Sequence, residues 1–435
     1  MKKYDEYKDS GVAWIGEVPK HWEVIKLKYK YHFQTGATPN TGKKENFEGD
    51  LRWANISDLN GSVVYDTTKH INKEAASKCS MNISPKGSLM YSFKLSVGTV
   101  AFCGEDMYTN EAIASFIPQK NDLKYLFYCA PIFIIHNANR NIYNAPLLNQ
   151  ELIKNALICL PSLNEQTVIA TYLDTHCAKI DNLISIQQKR IALLQELKQS
   201  VITHAVTKGL NPNVEMKQSG VEWIGNVPKH WEVCKLKHYS QVFGRIGFRG
   251  YNQTDLVNEG EGAITLSPSN MQNGILNYDK CSYLSWKKYY ESPEIMIYND
   301  DVLFVKTGST YGKISYVADL PMEATINPQI VVFKNIKGNN KYLYYLLSND
   351  IVQMQVSLTV GGSTIPTLSQ ESILNYIVPL APKVEQAAIA SYLDHKCATI
   401  DTSISNAQHQ IDLLQEYKQS LITEVVTGKR KVTDN

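Results

Sequence analysis

The sequence lacks the cysteine patterns of metal-binding and disulfide-stabilised proteins. Its eight cysteines form no Cys-x-x-Cys pair, and no Cys/His cluster has zinc-ligand spacing. The first ten residues carry charges where a secretory signal needs an apolar segment, and no run of eighteen apolar residues occurs. We therefore expect reduced thiols, no metal, no membrane span and a cytoplasmic location.

Positive and negative side chains almost balance, so the chain has little excess charge of either sign. The formal net charge is only +2, which excludes a general electrostatic attraction to nucleic acid. A DNA-binding face would have to be a local patch of basic residues.

Catalytic motifs are missing as well. No Asn/Asp-Pro-Pro-aromatic tetrapeptide, the signature of adenine methylation, is present, and no acidic cluster with a lysine suggests a nuclease. The stretch GSTYGKIS (308–315) resembles a phosphate-binding loop but is one residue short, and Ile314 replaces the magnesium-binding Ser or Thr. His21 and His230 each lie within PKHWEV beside a tryptophan, and we interpret both as packed framework residues.

What the sequence does contain is a duplication. SGVAWIGEVPKHWEV (10–24) returns as SGVEWIGNVPKHWEV (219–233), and the segment 165–209 returns as 385–429. Between these framing segments the two halves hardly agree, although short apolar runs predict strands at 63–65, 100–102, 302–305 and 330–333. The pattern indicates one fold used twice with two different surfaces.

The second repeated segment is helical. Apolar residues recur at alternating steps of three and four, which predicts two helices of about 40 residues, each roughly 60 Å long. A single helix of that length needs a partner for its apolar stripe, and we expect the two helices to pair as an antiparallel coiled coil. The alternative is that each stripe packs on its own globular domain. The predicted seam consists of Leu173, Ile180, Ile184, Ile191, Leu194, Leu393, Ile400, Ile404, Ile411 and Leu414.

These observations predict an α+β fold with a pseudo-twofold repeat: two similar mixed α/β domains separated by two long helices. The expected boundaries are 1–158 for the first domain, 159–209 for the first helix and 210–218 for a linker. The second domain then covers 219–379, the second helix 380–430 and a tail 431–435.

Together, these segments resemble the specificity subunits of type I restriction-modification systems. The resemblance rests on the doubled SGVxWIGxVPKHWEV and the doubled helix EQ...IAxYLD...LLQExKQS. It also rests on the two segments that lead into the helices, NAPLLNQELIKNALICLPSLNEQ (144–166) and TIPTLSQESILNYIVPLAPKVEQ (364–386).

The resemblance implies a non-catalytic subunit with two target-recognition domains, each reading one half of a split double-stranded DNA sequence. It implies that the helices set the gap between half-sites and bind two methyltransferase subunits, and that restriction and motor subunits join the full complex. S-adenosylmethionine, ATP and Mg²⁺ are then expected in the partner subunits, and no cofactor in this chain.

Candidate DNA contacts lie in the dissimilar middles of the two halves. The stretch GRIGFRGYNQT (244–254) combines glycines, which let a backbone approach phosphates, with arginines that can read guanine. A tight surface turn with solvated arginines is the alternative. The full set of candidates is Lys43, Lys44, Arg52, Lys94, Arg140, Arg245, Arg249, Lys306, Lys313, Ser363 and Thr364.

Two other functions remain open at this level. The chain could be a scaffold that acts only through its coiled coil, or a self-contained DNA nuclease or methyltransferase. The missing motifs count against the enzyme. Sequence-selective DNA binding would exclude the scaffold.

Overall fold

The structure is a computed structural model that describes residues 2–118, 123–272, 274–360 and 366–432. The chain divides into two compact units. The first unit contains Met1–Gln187 and His409–Asn435, and the second contains Gln188–Gln408. Each unit therefore combines one globular domain with the first part of one long helix and the last part of the other.

The first unit contains fourteen strands and three α-helices among the described residues, together with the start of the first long helix. The strands are β1 (Tyr7–Asp9), β2 (Glu17–Pro19), β3 (Glu23–Lys26), β4 (Phe33–Thr35), β5 (Leu51–Ala54), β6 (Val63–Val64), β7 (His70–Ile71), β8 (Leu89–Ser92), β9 (Val100–Cys103), β10 (Tyr108–Thr109), β11 (Ile113–Phe116), β12 (Asn139–Arg140), β13 (Pro146–Leu147) and β14 (Leu157–Leu160). The helices are α1 (Lys73–Lys78), α2 (Leu123–His136), α3 (Gln150–Asn155) and the long α4 (Leu163–Lys208).

The main sheet of the first unit has the strand order β4-β11-β8-β9-β6. Its central strand β8 is buried on both faces because the sheet is covered on both sides. Side chains alternate along a strand, so Leu89 and Tyr91 enter the core that contains α2, while Met90 joins a smaller cluster on the opposite face. Helix α2 thus packs on one face of the sheet and leaves the ends of its strands accessible for loops.

The second unit is built in the same way. Its strands are β15 (Met216–Gln218), β16 (Asn226–Pro228), β17 (Glu232–Lys235), β18 (Gln241–Gly244), β19 (Leu256–Val257), β20 (Gly262–Leu266), β21 (Met271–Gln272), β22 (Ile275–Leu276), β23 (Ser282–Ser285), β24 (Met296–Ile297), β25 (Val302–Val305), β26 (Ile314–Tyr316), β27 (Ala324–Ile326), β28 (Ile330–Lys334) and β29 (Ile377–Leu380). Its helices are α5 (Trp286–Tyr290), α6 (Asn340–Ser348), α7 (Asp350–Val360), α8 (Gln370–Leu374) and the long α9 (Lys383–Val426).

Two sheets form the centre of the second unit, with the orders β18-β28-β25-β26 and β19-β23-β20-β27-β24. In β25, Val302 and Phe304 face the core that contains α6, whereas Leu303 and Val305 face a second core. This is the alternation seen in β8 of the first unit. Two sequences that differ in their middles therefore build related layers.

The long helices confirm the predicted fold class. Within the first unit, the Lys418 ammonium of α9 donates to the Asp181 carboxylate of α4 at 2.7 Å. Within the second unit, Lys198 of α4 donates to Asp401 of α9, also at 2.7 Å. Each unit thus pairs the first part of one helix with the last part of the other, which is an antiparallel arrangement.

The predicted seam residues are all buried or half-buried. The buried ones are Leu173, Ile180, Leu393, Ile400 and Ile411, and the half-buried ones are Ile184, Ile191, Leu194, Ile404 and Leu414. Leu173 and Ile180 also belong to the core of the first globular domain, as Leu393 does to the core of the second. The alternative packing on the globular domain therefore occurs together with the helix pairing.

The duplicated opening motif joins these parts at the helix ends. In the first unit, buried Trp22 lies beside Gly428, just after α9, and the His21 Nε2 lies 3.0 Å from Glu165 in the first turn of α4. In the second unit, the Trp231 Nε1 donates to Glu385 in the first turn of α9 at 3.0 Å.

Gly428 has φ +74°, and a Cβ there would lie 2.2 Å from the ring of Pro19 in the motif. The chain therefore needs glycine at position 428, where it packs against the motif. Both histidines are partly exposed and paired with a glutamate, His21 with Glu165 and His230 with Glu385. The motif is a junction between the start of one long helix and the end of the other.

Candidate nucleic-acid interface

In the second unit, three segments meet at one edge of the sheet that contains β18 and β25. They are the loop 306–313, the residues that precede α8, and the loop that follows β18. The loop 306–313 follows β25, and its Gly308 N–H donates to the Pro366 carbonyl at 3.1 Å. The Leu368 N–H donates back to the Lys306 carbonyl at 2.8 Å, so the loop is fixed to the segment that precedes α8. The third loop begins at the end of β18, beside the same segment.

Gly244 provides that connection. Gln370 contacts the end of β18, where its amide donates to the Val242 carbonyl at 3.0 Å and accepts from the Gly244 N–H at 3.2 Å. A Cβ at Gly244 would lie 2.9 Å from the Val331 side chain and 3.0 Å from Gln370. Glycine is needed here because the neighbouring strand and α8 approach the backbone closely.

The arginines of GRIGFRG are engaged within the unit. Arg245 is 5% exposed, and its guanidinium donates to the Ile326 carbonyl at 3.2 Å and to the Thr325 hydroxyl at 3.1 Å. Burial lowers the pKa of Arg245. Arg249 forms an ion pair with Glu294 at 3.2 Å. A groove contact by Arg245 would require these bonds to break, and the DNA contact predicted for Arg245 stays a prediction. The DNA contact predicted for Arg249 stays a prediction.

The two lysines of the loop 306–313 lie at its ends. Lys306 is half-buried, and burial lowers its pKa. Lys313 is also half-buried, and its carbonyl accepts from the Val305 N–H at 2.9 Å, which closes the loop. Ser363 and Thr364, the remaining candidates of this half, lie outside the described residues.

The first unit brings together the corresponding segments. The loop after β4 begins at Gly36, where a Cβ would lie 1.6 Å from the Thr109 carbonyl oxygen. The Gln150 amide donates to the Thr35 hydroxyl at 3.0 Å and so fixes the start of α3 to the same loop. The loop after β4 and the start of α3 therefore meet much as the loop after β18 and the start of α8 do in the second unit.

A polar group lies at this edge that the sequence did not reveal. The Thr38 hydroxyl donates to the Glu111 carboxylate, and this hydrogen bond, with a smaller contribution from the charge of Lys94, lowers the pKa of Glu111. Glu111 is exposed, and an ionised carboxylate can accept a hydrogen bond from the amino group of cytosine.

The other candidates of the first half are more widely placed. Lys43 and Lys44 are exposed at the end of the loop that follows β4. Arg52 lies on β5, with its Nε 3.4 Å from the Asp66 carboxylate. Arg140 is exposed on β12, and its guanidinium donates to the Asn144 carbonyl at 3.0 Å. Their DNA contacts stay predictions.

Two asparagines in corresponding positions shape both edges, and sequence reasoning missed them. The Asn110 side chain accepts from the Ala112 N–H, and the Asn327 side chain accepts from the Gln329 N–H, each at 3.0 Å. After each turn, one carbonyl accepts a backbone hydrogen bond. The Ala112 carbonyl accepts from the loop after β8 in the first unit, and the Gln329 carbonyl accepts from the loop after β25 in the second. The available signal was a shared pattern, NEAI against NPQI, directly before a buried strand.

The described part of the chain contains no helix that is both long and apolar enough to cross a membrane. Among the same residues, no group of three or more His, Cys, Asp or Glu side chains is arranged to hold a metal ion.

Comparison with known proteins gives one consistent result. The family model of the type I restriction modification DNA specificity domain matches residues 19–196 and again residues 228–411. The MjaIX specificity subunit of a type I restriction enzyme from Methanocaldococcus jannaschii is 25% identical over 433 residues, which cover 97% of this chain and 96% of that protein.

Solved structures share the fold. One chain, from a study of complex assembly and conformational transition in a type I R-M system, matches with a TM-score of 0.71 at 13% identity, covering 94% of this chain and 98% of that one. The HsdS subunit from Thermoanaerobacter tengcongensis matches with a TM-score of 0.51 at 14% identity, covering 95% and 98%. With a family model that matches both repeats, the chain belongs to the family of type I restriction-modification DNA specificity proteins.

Proposed function

We propose that this chain binds a bipartite double-stranded DNA target, one half-site for each globular domain, and directs adenine methylation or restriction by partner subunits. One observation carries the proposal: each unit, taken by itself, gathers corresponding loops at one sheet edge, and the side chains on those loops differ. A shared framework with different polar groups suits two different half-sites.

The chemical contrast between the two edges supports this reading. The first edge presents Thr38, Glu111 and Lys94, which can donate or accept. The second presents a glycine-rich loop held by Arg245, together with Lys306. Glycines allow close approach to the DNA backbone, whereas hydroxyl and carboxylate groups match the edges of bases.

The long helices support the presence of two copies of one partner. In the first unit, α9 exposes Leu413 and Tyr417, each to 49%. In the second unit, α4 exposes Leu193 to 64% and Leu197 to 49%, at the same positions of the repeat. Exposed apolar residues in equivalent places fit two methyltransferase subunits that bind alike. Restriction and motor subunits would join this assembly, with S-adenosylmethionine, ATP and Mg²⁺ bound by the partners.

The test is to produce the chain together with its methyltransferase subunit and to map methylated adenines in a genome. We expect methylation only at a split sequence with a fixed gap. The purified complex should then bind a duplex with both half-sites more tightly than a duplex with either one scrambled. Within this test, Lys94→Ala should weaken the response to one half-site and Lys306→Ala the response to the other.

The competing functions give different results. A scaffold would leave the methyltransferase without any dependence on a split sequence. A self-contained enzyme would methylate or cleave DNA when the chain is supplied without partner subunits. Either outcome would contradict the proposal.

A further inference from the structure

A two-stranded hairpin in the first unit displays an unusual apolar tip. Strands β12 and β13 pair Asn139 with Leu147 and Arg140 with Pro146. At the turn between them, Ile142 is 90% exposed and Tyr143 is 83% exposed. Two large apolar side chains are thus presented to solvent at the end of a narrow projection.

Two polar side chains hydrogen-bond to the backbone of the turn. The Asn141 Oδ1 accepts from the N–H groups of Tyr143 and Ala145, each at 2.9 Å. The Arg140 guanidinium adds a hydrogen bond to the carbonyl of Asn144, which has φ +61°. These bonds define the backbone around Ile142 and Tyr143, so a preorganised turn presents both side chains.

The hairpin lies next to the candidate nucleic-acid interface of the first unit. Only two residues separate Leu147 from Gln150, which is bonded to Thr35 at the end of β4, so the three Cα–Cα steps place the base of the hairpin within about 11 Å of Gln150. The stretch 136–150 contains no Asp or Glu and one Arg, and therefore offers no negative charge against phosphates.

We propose that this tip enters the first half-site of the DNA, with Tyr143 and Ile142 inserted against or between bases. The inference rests on the proposed function. An apolar wedge of one or two side chains is sufficient to unstack a base step. A stable protein interface buries roughly 1,200–2,000 Å², far more than two side chains on a thin hairpin supply. DNA is therefore the occupant that the geometry favours over a protein partner.

The experiment uses the complex of the full chain with its methyltransferase subunit and a duplex that carries the mapped target. The double variant Ile142→Ala/Tyr143→Ala should bind this duplex about 5- to 100-fold more weakly, in line with the loss of one or two base–aromatic contacts. The dependence of log K on log salt should keep the wild-type slope, because no phosphate contact is lost. Tyr143→Phe should bind like the wild type, since it keeps the ring.

A second readout detects insertion directly. With 2-aminopurine placed at successive positions of the first half-site, the wild-type complex should raise its fluorescence at one step, and the double variant should not. Ile275→Ala is the matched control. Ile275 is 63% exposed on the β21–β22 hairpin of the second unit, and it is not among the candidate DNA contacts of either unit. This control should change neither binding nor fluorescence.

Three outcomes would overturn the inference. The first is unchanged affinity of the double variant, and the second is a changed salt slope. The third is loss of methyltransferase assembly without DNA, which would identify a protein contact. Failure of the proposed function looks different, because the wild-type complex itself would then show no preference for a split target.

Discussion

At the scale of single residues, Arg245 illustrates why side-chain type does not reveal role. A buried charge is costly unless every donor finds a partner. Here the guanidinium donates to the Ile326 carbonyl and the Thr325 hydroxyl, and it lies 5.1 Å from the Tyr251 ring centre. The sequence could locate the arginine in a glycine-rich loop. It could not show that the arginine side chain is buried, because its partners Thr325 and Ile326 are about eighty residues away along the chain.

We predict that Arg245→Lys destabilises the second unit by about 1–3 kcal/mol, because an ammonium cannot reproduce the planar set of donors and leaves buried acceptors unpaired. Recognition of one half-site should be impaired while recognition of the other is retained. Guanidinium unfolding and methylation of targets altered in either half-site measure the two effects. Arg249→Lys is the control for stability, since its ion pair with Glu294 is partly exposed and the change should cost less than about 1 kcal/mol. Full stability and selectivity in Arg245→Lys would show that this side chain does not anchor the loop.

At the scale of elements, local patterns were predictable and their meeting points were not. The heptad period predicted the long helices, and the apolar runs predicted strands that occur at Val63–Val64, Val100–Cys103, Val302–Val305 and Ile330–Lys334. These features depend on neighbouring residues in the chain. The convergence of loops at each sheet edge depends on strand register and on the turns at Asn110 and Asn327, which link distant segments. No periodicity encodes such links.

The helix seam makes a quantitative prediction at this scale. Leu173 of α4 is fully buried in the core of the first globular domain, so Leu173→Ala should lower the free energy of unfolding by about 2–5 kcal/mol. Leu183, on the same helix and 47% exposed, is the matched control, and Leu183→Ala should change stability by less than about 0.5 kcal/mol. Denaturant unfolding of both variants checks the contrast. Equal effects would mean that burial in the seam does not stabilise the first unit.

At the scale of the whole molecule, each unit includes in its core the last part of the long helix that belongs to the other repeat. The core of the first unit includes Leu421 and Val425 of α9, which are 1% and 0% exposed. The second unit correspondingly contains Ile202 and Ala205 of α4, buried in its own core. Each globular domain therefore needs the last part of the other repeat's helix. The duplicated opening motif lies where these parts meet, which explains why it occurs once in each half.

Two truncations should separate the units on this basis. Removing residues 409–435 takes Leu421, Val425 and Val426 from the core of the first unit and leaves the segment 188–408 complete. Hydrogen exchange should then rise across residues 2–187 and stay low in the buried strands of the second unit, because exchange protection follows local stability. Removing residues 385–435 also takes Ile389, Leu393 and Cys397 from the second core, and protection should fall in both units. Methylation of the split target should be lost in both truncations, since both half-sites must be bound. If the shorter truncation left the first unit protected, the last part of α9 would not be an integral part of its core.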